Sequence, residues 1–383
     1  MQSPLPPNTY PEGLWWEGYN ICLESESKAI SALLPLSVPS RLVCARFLGY
    51  MIHEAPTDRG RDNISRKIID CVDDDELVKL VRFYIAHFVH WARAGRESRS
   101  HFWYPSHLSF TEIQQRMLHL LHEVPQSHDE ARERALFRDG YRCVLTGIYD
   151  STTYLKRKEL RKAGDMNYAN SDACLRVTPT HPAYILPQTM NVSILASSEC
   201  ECDGDEVCLF FVLLDSLITL SQYRYAAEVW TLMQHIGEGL IPEEFDEAKI
   251  HCLENVMTLG INMHERFTKF YIWLEESVNF NIFSLEPVLN QVTLQPTPHS
   301  YVLNSICPSV LGTPQTVSFT TPDPVYLPLP SPQYLRLHAA CARVLFLSGA
   351  TGFFGDVLED ICDICNLAID GSSLEHSLMK LHL

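Results

Sequence analysis

The chain has 383 residues, 46% hydrophobic and 20% charged, with 23 Pro and 17 Gly, a globular composition that excludes collagenous and disordered classes. That length exceeds what one compact core usually organises, so two lobes or one domain with large insertions is expected and a single small module is excluded. Lys and Arg total 30 against 47 Asp and Glu, a net charge of −17, which repels phosphates and confines any nucleic-acid contact to a local basic patch.

The N-terminal stretch lacks both the positive and the apolar segment of a secretory signal. The longest apolar run, Val207 to Leu220, is broken by Asp215 and falls short of the roughly 20 residues a membrane span needs. An intracellular protein, cytoplasmic or nuclear and without membrane contact, is expected. The 13 cysteines are odd in number and scattered in apolar contexts, which suits reduced thiols. Cys200, Cys202 and Cys208, and the Cys362/Cys365 pair, are half-sites without a second half nearby and read as buried or idle thiols.

Three regions follow in order. Residues 1–126 form a helical lead-in. From Asp73 to Gly95 the apolar residues Leu77, Val81, Tyr84, Ile85, Phe88 and Val89 recur at helical spacing, acidic at the start and closed by Gly. Ser109 with Glu112, and Ser127 with Glu130, fit capping boxes that start helices before Ile113 and Ala131. The His87/His90 and His119/His122 pairs lack the Glu-x-x-His partners of a bundle metal site and read as packing and helix surface.

Residues 127–283 mix elements. Strands are expected over Tyr141–Gly147, after the Asp139-Gly140 turn, over Ala183–Pro187 and over Asn255–Leu259. Buried helices are expected at 206–220 and 223–236, within an insertion over 188–250. A further helix is expected from Asn262 to Glu276, with Met263, Phe267, Phe270, Tyr271 and Leu274 as its stripe. Residues 284–383 hold a Pro-dense stretch interrupted by β-rich patches at Tyr301–Leu303 and Val317–Phe319. Helices from Gln333 and near 354–369 follow, expected to pack on the core.

The segments Arg138-Asp-Gly-Tyr-Arg-Cys143 with Thr146-Gly147, then Pro179 to Pro187, then Asn255-Val-Met-Thr-Leu259 with His264 nine residues after Asn255, resemble the fungal HNH nuclease-domain proteins. That family opens on Arg-Asp-Gly-x-x-Cys-x-x-Thr-Gly, continues with Ala-His-Ile-x-Pro and a helical insertion, and ends on Asn-x-x-x-Leu with a His nine residues after the Asn. The resemblance implies an α+β fold, mostly helical, with an embedded ββα-metal core and a Pro-rich β or irregular segment. It also implies metal-dependent hydrolysis of nucleic-acid phosphodiesters, with a divalent Mg, Mn or Zn polarising the phosphate and a His deprotonating water. Asn255 would hold the strand that carries the base, and His264 would ligate the metal.

The departure lies at the base itself, where Tyr184 stands for the family's His. With a reference pKa of about 10, a tyrosine offers roughly one phenolate per thousand molecules near neutral pH, and losing a general base typically costs about 10²- to 10⁴-fold. A weak or inactive enzyme is therefore expected, in which the metal is either kept or lost along with the base. Tyr184 itself is expected to pack with its hydroxyl hydrogen-bonded. His181 could take over as base or ligand, although strand alternation points it away from Tyr184 unless Pro182 breaks the alternation. Lys156, Arg157, Lys158, Arg161 and Lys162, with Arg132, Arg134, Arg138 and Arg142 upstream, form the local basic cluster, equally a DNA-contacting face or a solvated one. The alternative is a non-catalytic interaction or nucleic-acid-binding protein that retains the fold, with no protein partner specified.

Overall fold

The computed structural model describes residues 3–31, 39–97, 124–156, 177–187, 235–237, 239–240, 247–280, 294–307 and 315–355. The chain divides into two compact units, Met1–Ala94 with Thr189–Glu243 and Ala340–Leu383, and Gly95–Gln188 with Glu244–Ala339. The fold is mixed helix and sheet, its sheets small, and among the described residues no helix is long and apolar enough to cross a membrane.

The first unit opens with four helices, α1 (Leu14–Ser31), α2 (Arg41–Glu54), α3 (Asp58–Ile69) and α4 (Asp74–Glu97). Side-chain oxygens of Ser40 and Thr57 accept the Val43 and Gly60 amides at 3.3 and 3.0 Å, satisfying first-turn donors of α2 and α3 that have no partner within the helix. Trp15 on α1 donates its indole N–H to Asp62 on α3 at 2.6 Å. The buried Glu26 carboxylate accepts from Arg46 Nε at 2.6 Å and from the Leu5 amide at 3.3 Å, so its charge is paired and hydrogen-bonded as burial requires. All six apolar positions expected to form the α4 stripe are buried. The helix runs through Gly95 to Glu97. His87 donates Nδ1–H to the Phe83 carbonyl at 2.6 Å, a packing role.

The second unit carries α5 (His128–Arg138), β1 (Tyr149–Asp150), α6 (Ser151–Lys156), β2 (Val177–Thr178), β3 (Thr180–Tyr184), α7 (Glu247–Ile250), β4 (Val256–Gly260), α8 (Ile261–Thr268), β5 (Ile272–Phe280), β6 (Leu294–Ser305) and β7 (Gln315–Ser318). Helix α9 (Pro332–Ser348) follows and is shared between the units at Ala339/Ala340. Strands β1 and β2 pair parallel, β3 and β4 antiparallel, and β5, β6 and β7 form an antiparallel three-stranded sheet. Ser127 caps α5 by accepting the Glu130 amide at 3.3 Å, and Glu130 returns a carboxylate oxygen to the Gln126 amide at 2.9 Å. The Ser127–Glu130 pattern thus opens a helix as its spacing predicts.

Two sequence expectations are corrected. Residues 141–147 form a tight loop rather than a strand, with only an isolated bridge between Arg142 and Tyr149. Positive φ at Gly140, Tyr141 and Gly147 turns the chain back, and the Gly147 amide closes onto the Cys143 carbonyl at 2.8 Å. The helix expected over Asn262–Glu276 stops at Thr268. Phe270 takes φ 58°, and Ile272 onward becomes β5 because its β-branched and aromatic residues find a ladder partner in β6. Both β-rich patches of the Pro-dense stretch belong to this sheet or border it. The helix starting before Ile113, the insertion helix over 206–220, the one over 223–236 apart from residues 235–236, which are helical, and the residues beyond 355 lie outside the described residues.

Candidate functional site

The site is built on the antiparallel β3–β4 pair, whose strands lie about seventy residues apart in sequence, and on α8, which follows β4 directly. Thr180 pairs with Gly260, and the register continues unbroken through His181–Leu259, Pro182–Thr258 and Ala183–Met257 to Tyr184–Val256. Pro182 therefore leaves the alternation intact. The close approach of β2 requires Gly260, since a Cβ there would meet Thr178 Cγ2 at 2.9 Å. Asp150 anchors the start of β3, accepting the Thr180 amide and hydroxyl at 3.1 and 2.8 Å through one oxygen and those of Thr153 through the other.

The Arg138-Asp139 pair works as a clasp under the strand pair. Arg138 holds Asp139 through Nε and Nη2 at 2.7 and 3.1 Å. Its remaining donors reach the carbonyls of Leu253, Pro328 and Val256 at 2.7, 2.9 and 2.6 Å. Asp139 in turn accepts the Thr258 amide at 2.9 Å. Arg138 is fully committed to buried partners, so it supplies no surface charge to a phosphate-binding face.

Asn255, wholly buried, ties the end of β3 to the start of β4. Its Oδ1 accepts the Leu186 amide at 2.8 Å, and its Nδ2 donates to the carbonyls of Leu186 and Ile250 at 3.1 and 3.0 Å. Its own carbonyl accepts the Ile185 amide at 2.9 Å. His264, 1% exposed, faces the half-buried His181 across β3 and α8, with ring centroids 5.7 Å apart. Thr268, four residues on, donates its hydroxyl to the Glu265 carbonyl at 3.1 Å, a capping bond within the helix.

Tyr184 lies elsewhere. Its ring is 4% exposed, clustered with Ala131 and Ala135 of α5 and with Leu253, Val256 and Leu327. His128 stacks on it at 5.8 Å and 25°. The hydroxyl is 2.8 Å from His251 Nδ1. Burial, reinforced by Asp129 and Cys252, pushes the phenol well above its ordinary range, so this hydroxyl holds its proton. Burial and the neighbouring His128 push the His251 imidazole down, opposed by Glu130. Burial and Glu254 push the Cys252 thiol up to about 12. The structure thus brings His181 and His264 together and seats Tyr184 in a separate packed cluster against α5. Sequence reasoning passed over His128 and His251. His128 is an interior position of the Ser127–Glu130 capping box and His251 sits in no motif, and only the folded β3–β4 pair carries residue 184 between them.

Two imidazoles about 2.1 Å from a shared cation at a tetrahedral angle would have centroids about 5 to 6 Å apart, so the His181–His264 spacing suits one divalent ion. Among the described residues, however, no three His, Cys, Asp or Glu side chains converge, so the two imidazoles would be the only protein ligands found there. The Lys156 side chain and residues Arg157, Lys158, Arg161 and Lys162 lie outside the described residues. No protein-family model, curated protein or solved structure matches this chain.

Proposed function

We propose that this chain carries a degenerate HNH-type nuclease module, in which a ββα strand-pair-and-helix frame persists and hydrolysis is weak or absent. The observation that supports it most is β3–β4–α8, where Asn255 fastens the strand ends and His181 meets His264. Tyr184 stands where the motif has its general base, but as a packed, protonated phenol on the side of β3 away from His181 and His264, so it supplies no proton acceptor to that site. His181 and His264 would hold the divalent cation, which when bound supplies charge stabilisation to a phosphate. Titration with Mn²⁺ tests the metal half of the reading: weak binding should be lost in His181→Ala and in His264→Ala, and no binding in the parent would leave a fold-only scaffold.

The second reading is a non-catalytic module that binds a partner or nucleic acid, favoured by the closed packing around Tyr184. DNA contact would run through Lys156, Arg157, Lys158, Arg161 and Lys162, and would weaken steeply with salt.

A further inference from the structure

We propose that His251, held against Tyr184 opposite the stacked His128, forms a pH-sensitive latch on the end of β3, closed while the His251 imidazole is neutral and released when it charges. The latch goes beyond the nuclease-like reading and does not depend on it.

The geometry places the two imidazoles around one buried ring. His128 lies on the face of Tyr184 and His251 meets it edge-on, each with centroids 5.8 Å away. His251 is also held by the Tyr184 hydroxyl. It opens the short segment that ends in Asn255, and Asn255 fixes both sides of the Leu186 peptide. Movement of His251 away from Tyr184 therefore pulls on the same segment that secures the end of β3.

Charging this cluster is opposed from several sides. Burial holds the His251 imidazole below its ordinary value, and the neighbouring His128 pushes it the same way. Acting in the other direction are Asp129, 3.6 Å from His128 Nδ1 with its side chain 86% exposed, and Glu130, 38% exposed; water screens both. On the segment's own side Cys252 stays protonated through neutral pH. The contributions of Leu253, Val256 and Leu327 are apolar. Opening the segment returns the His251 imidazole to water, so the open form gains a proton as pH falls.

Hydrogen exchange on the full chain tests this, read at the peptide containing Ile185 and Leu186 and at a reference peptide from β5. Rates are corrected for intrinsic pH dependence between about pH 7.5 and about pH 5, a window spanning the ordinary histidine pKa. The expected result is a several-fold loss of protection at 185–186 on acidification, with β5 unchanged, and a flattened dependence in His251→Gln and in His128→Gln. Protection at 185–186 that ignores pH in the parent overturns the latch, as does equal loss at β5, which is global unfolding. An unaltered slope in both Gln variants overturns it too. Should either variant fail to fold, the parent's comparison of the two peptides still decides.

Discussion

Asn255 grips Leu186 by both ends of its peptide, accepting the amide at 2.8 Å and donating to the carbonyl at 3.1 Å. With the further bond to Ile250 at 3.0 Å, one buried side chain joins three stretches of backbone. Replacing it with Ala strands polar groups where water does not reach, and should cost about 2 to 4 kcal/mol. Asn255→Asp keeps the acceptor but loses both donors and buries a charge, so it should be no better. Urea unfolding of the two variants against the parent checks this, and a loss under about 0.5 kcal/mol, the range of neutral surface changes, would remove Asn255 from its positioning role.

Arg138 should prove the most sensitive residue of the clasp. Its side chain is wholly inaccessible and paired with an Asp139 that is 3% exposed, so Arg138→Ala leaves a buried carboxylate without its partner. The expected loss is about 3 to 5 kcal/mol. Arg138→Lys should fail nearly as badly, because an ammonium cannot hold a carboxylate bidentately while also reaching three carbonyls. Thermal melts of both variants give the comparison, and a Lys variant close to the parent would contradict the clasp.

His338 sets a stability slope of its own. It donates Nε2–H to the Phe267 carbonyl at 3.0 Å and stacks on Phe267 at 3.8 Å. Burial pushes its imidazole down to about 3. Below the ordinary histidine pKa of about 6.5 the unfolded chain takes up a proton that the folded chain refuses. Its contribution is therefore intact above that value and falls steadily as pH drops from there toward about 3. His338→Phe keeps a stacking ring and removes the titration, so its stability should decline less with acid than the parent's. Parallel unfolding curves at neutral and mildly acidic pH read the difference, and equal declines would contradict it.

The strand pair was legible only in part: β4 (Val256–Gly260) lies within one residue of the expected Asn255–Leu259, whereas β3 (Thr180–Tyr184) overlaps the expected Ala183–Pro187 only at Ala183 and Tyr184. Ser127 announces α5 through its own cap. Residues 262–276 misled because Phe267, Phe270, Tyr271 and Leu274 fit a helical stripe as readily as they suit a strand. The ladder to β6 decided between them, and that partner begins more than a dozen residues after β5 ends. Cys143-Val-Leu reads as a strand by composition, yet the left-handed backbone at Gly140, Tyr141 and Gly147 folds it into a loop. Asn255 and His264 were singled out by the motif resemblance, in which a His follows the Asn by nine residues. The partners of Tyr184 were not, because His128 and His251 reach it from α5 and from the segment after α7, 56 and 67 residues away in sequence.

The most direct test of the degenerate-site account is plasmid cleavage in Mg²⁺ or Mn²⁺ by four proteins, the parent, Tyr184→His, Tyr184→His with His264→Ala, and His181→Ala. The account predicts near-background cutting by the parent and no gain from Tyr184→His, with or without His264, because residue 184 packs against α5 on the side of β3 away from His181 and His264. A parent that cuts efficiently and is silenced by His181→Ala would contradict it, placing the base at His181.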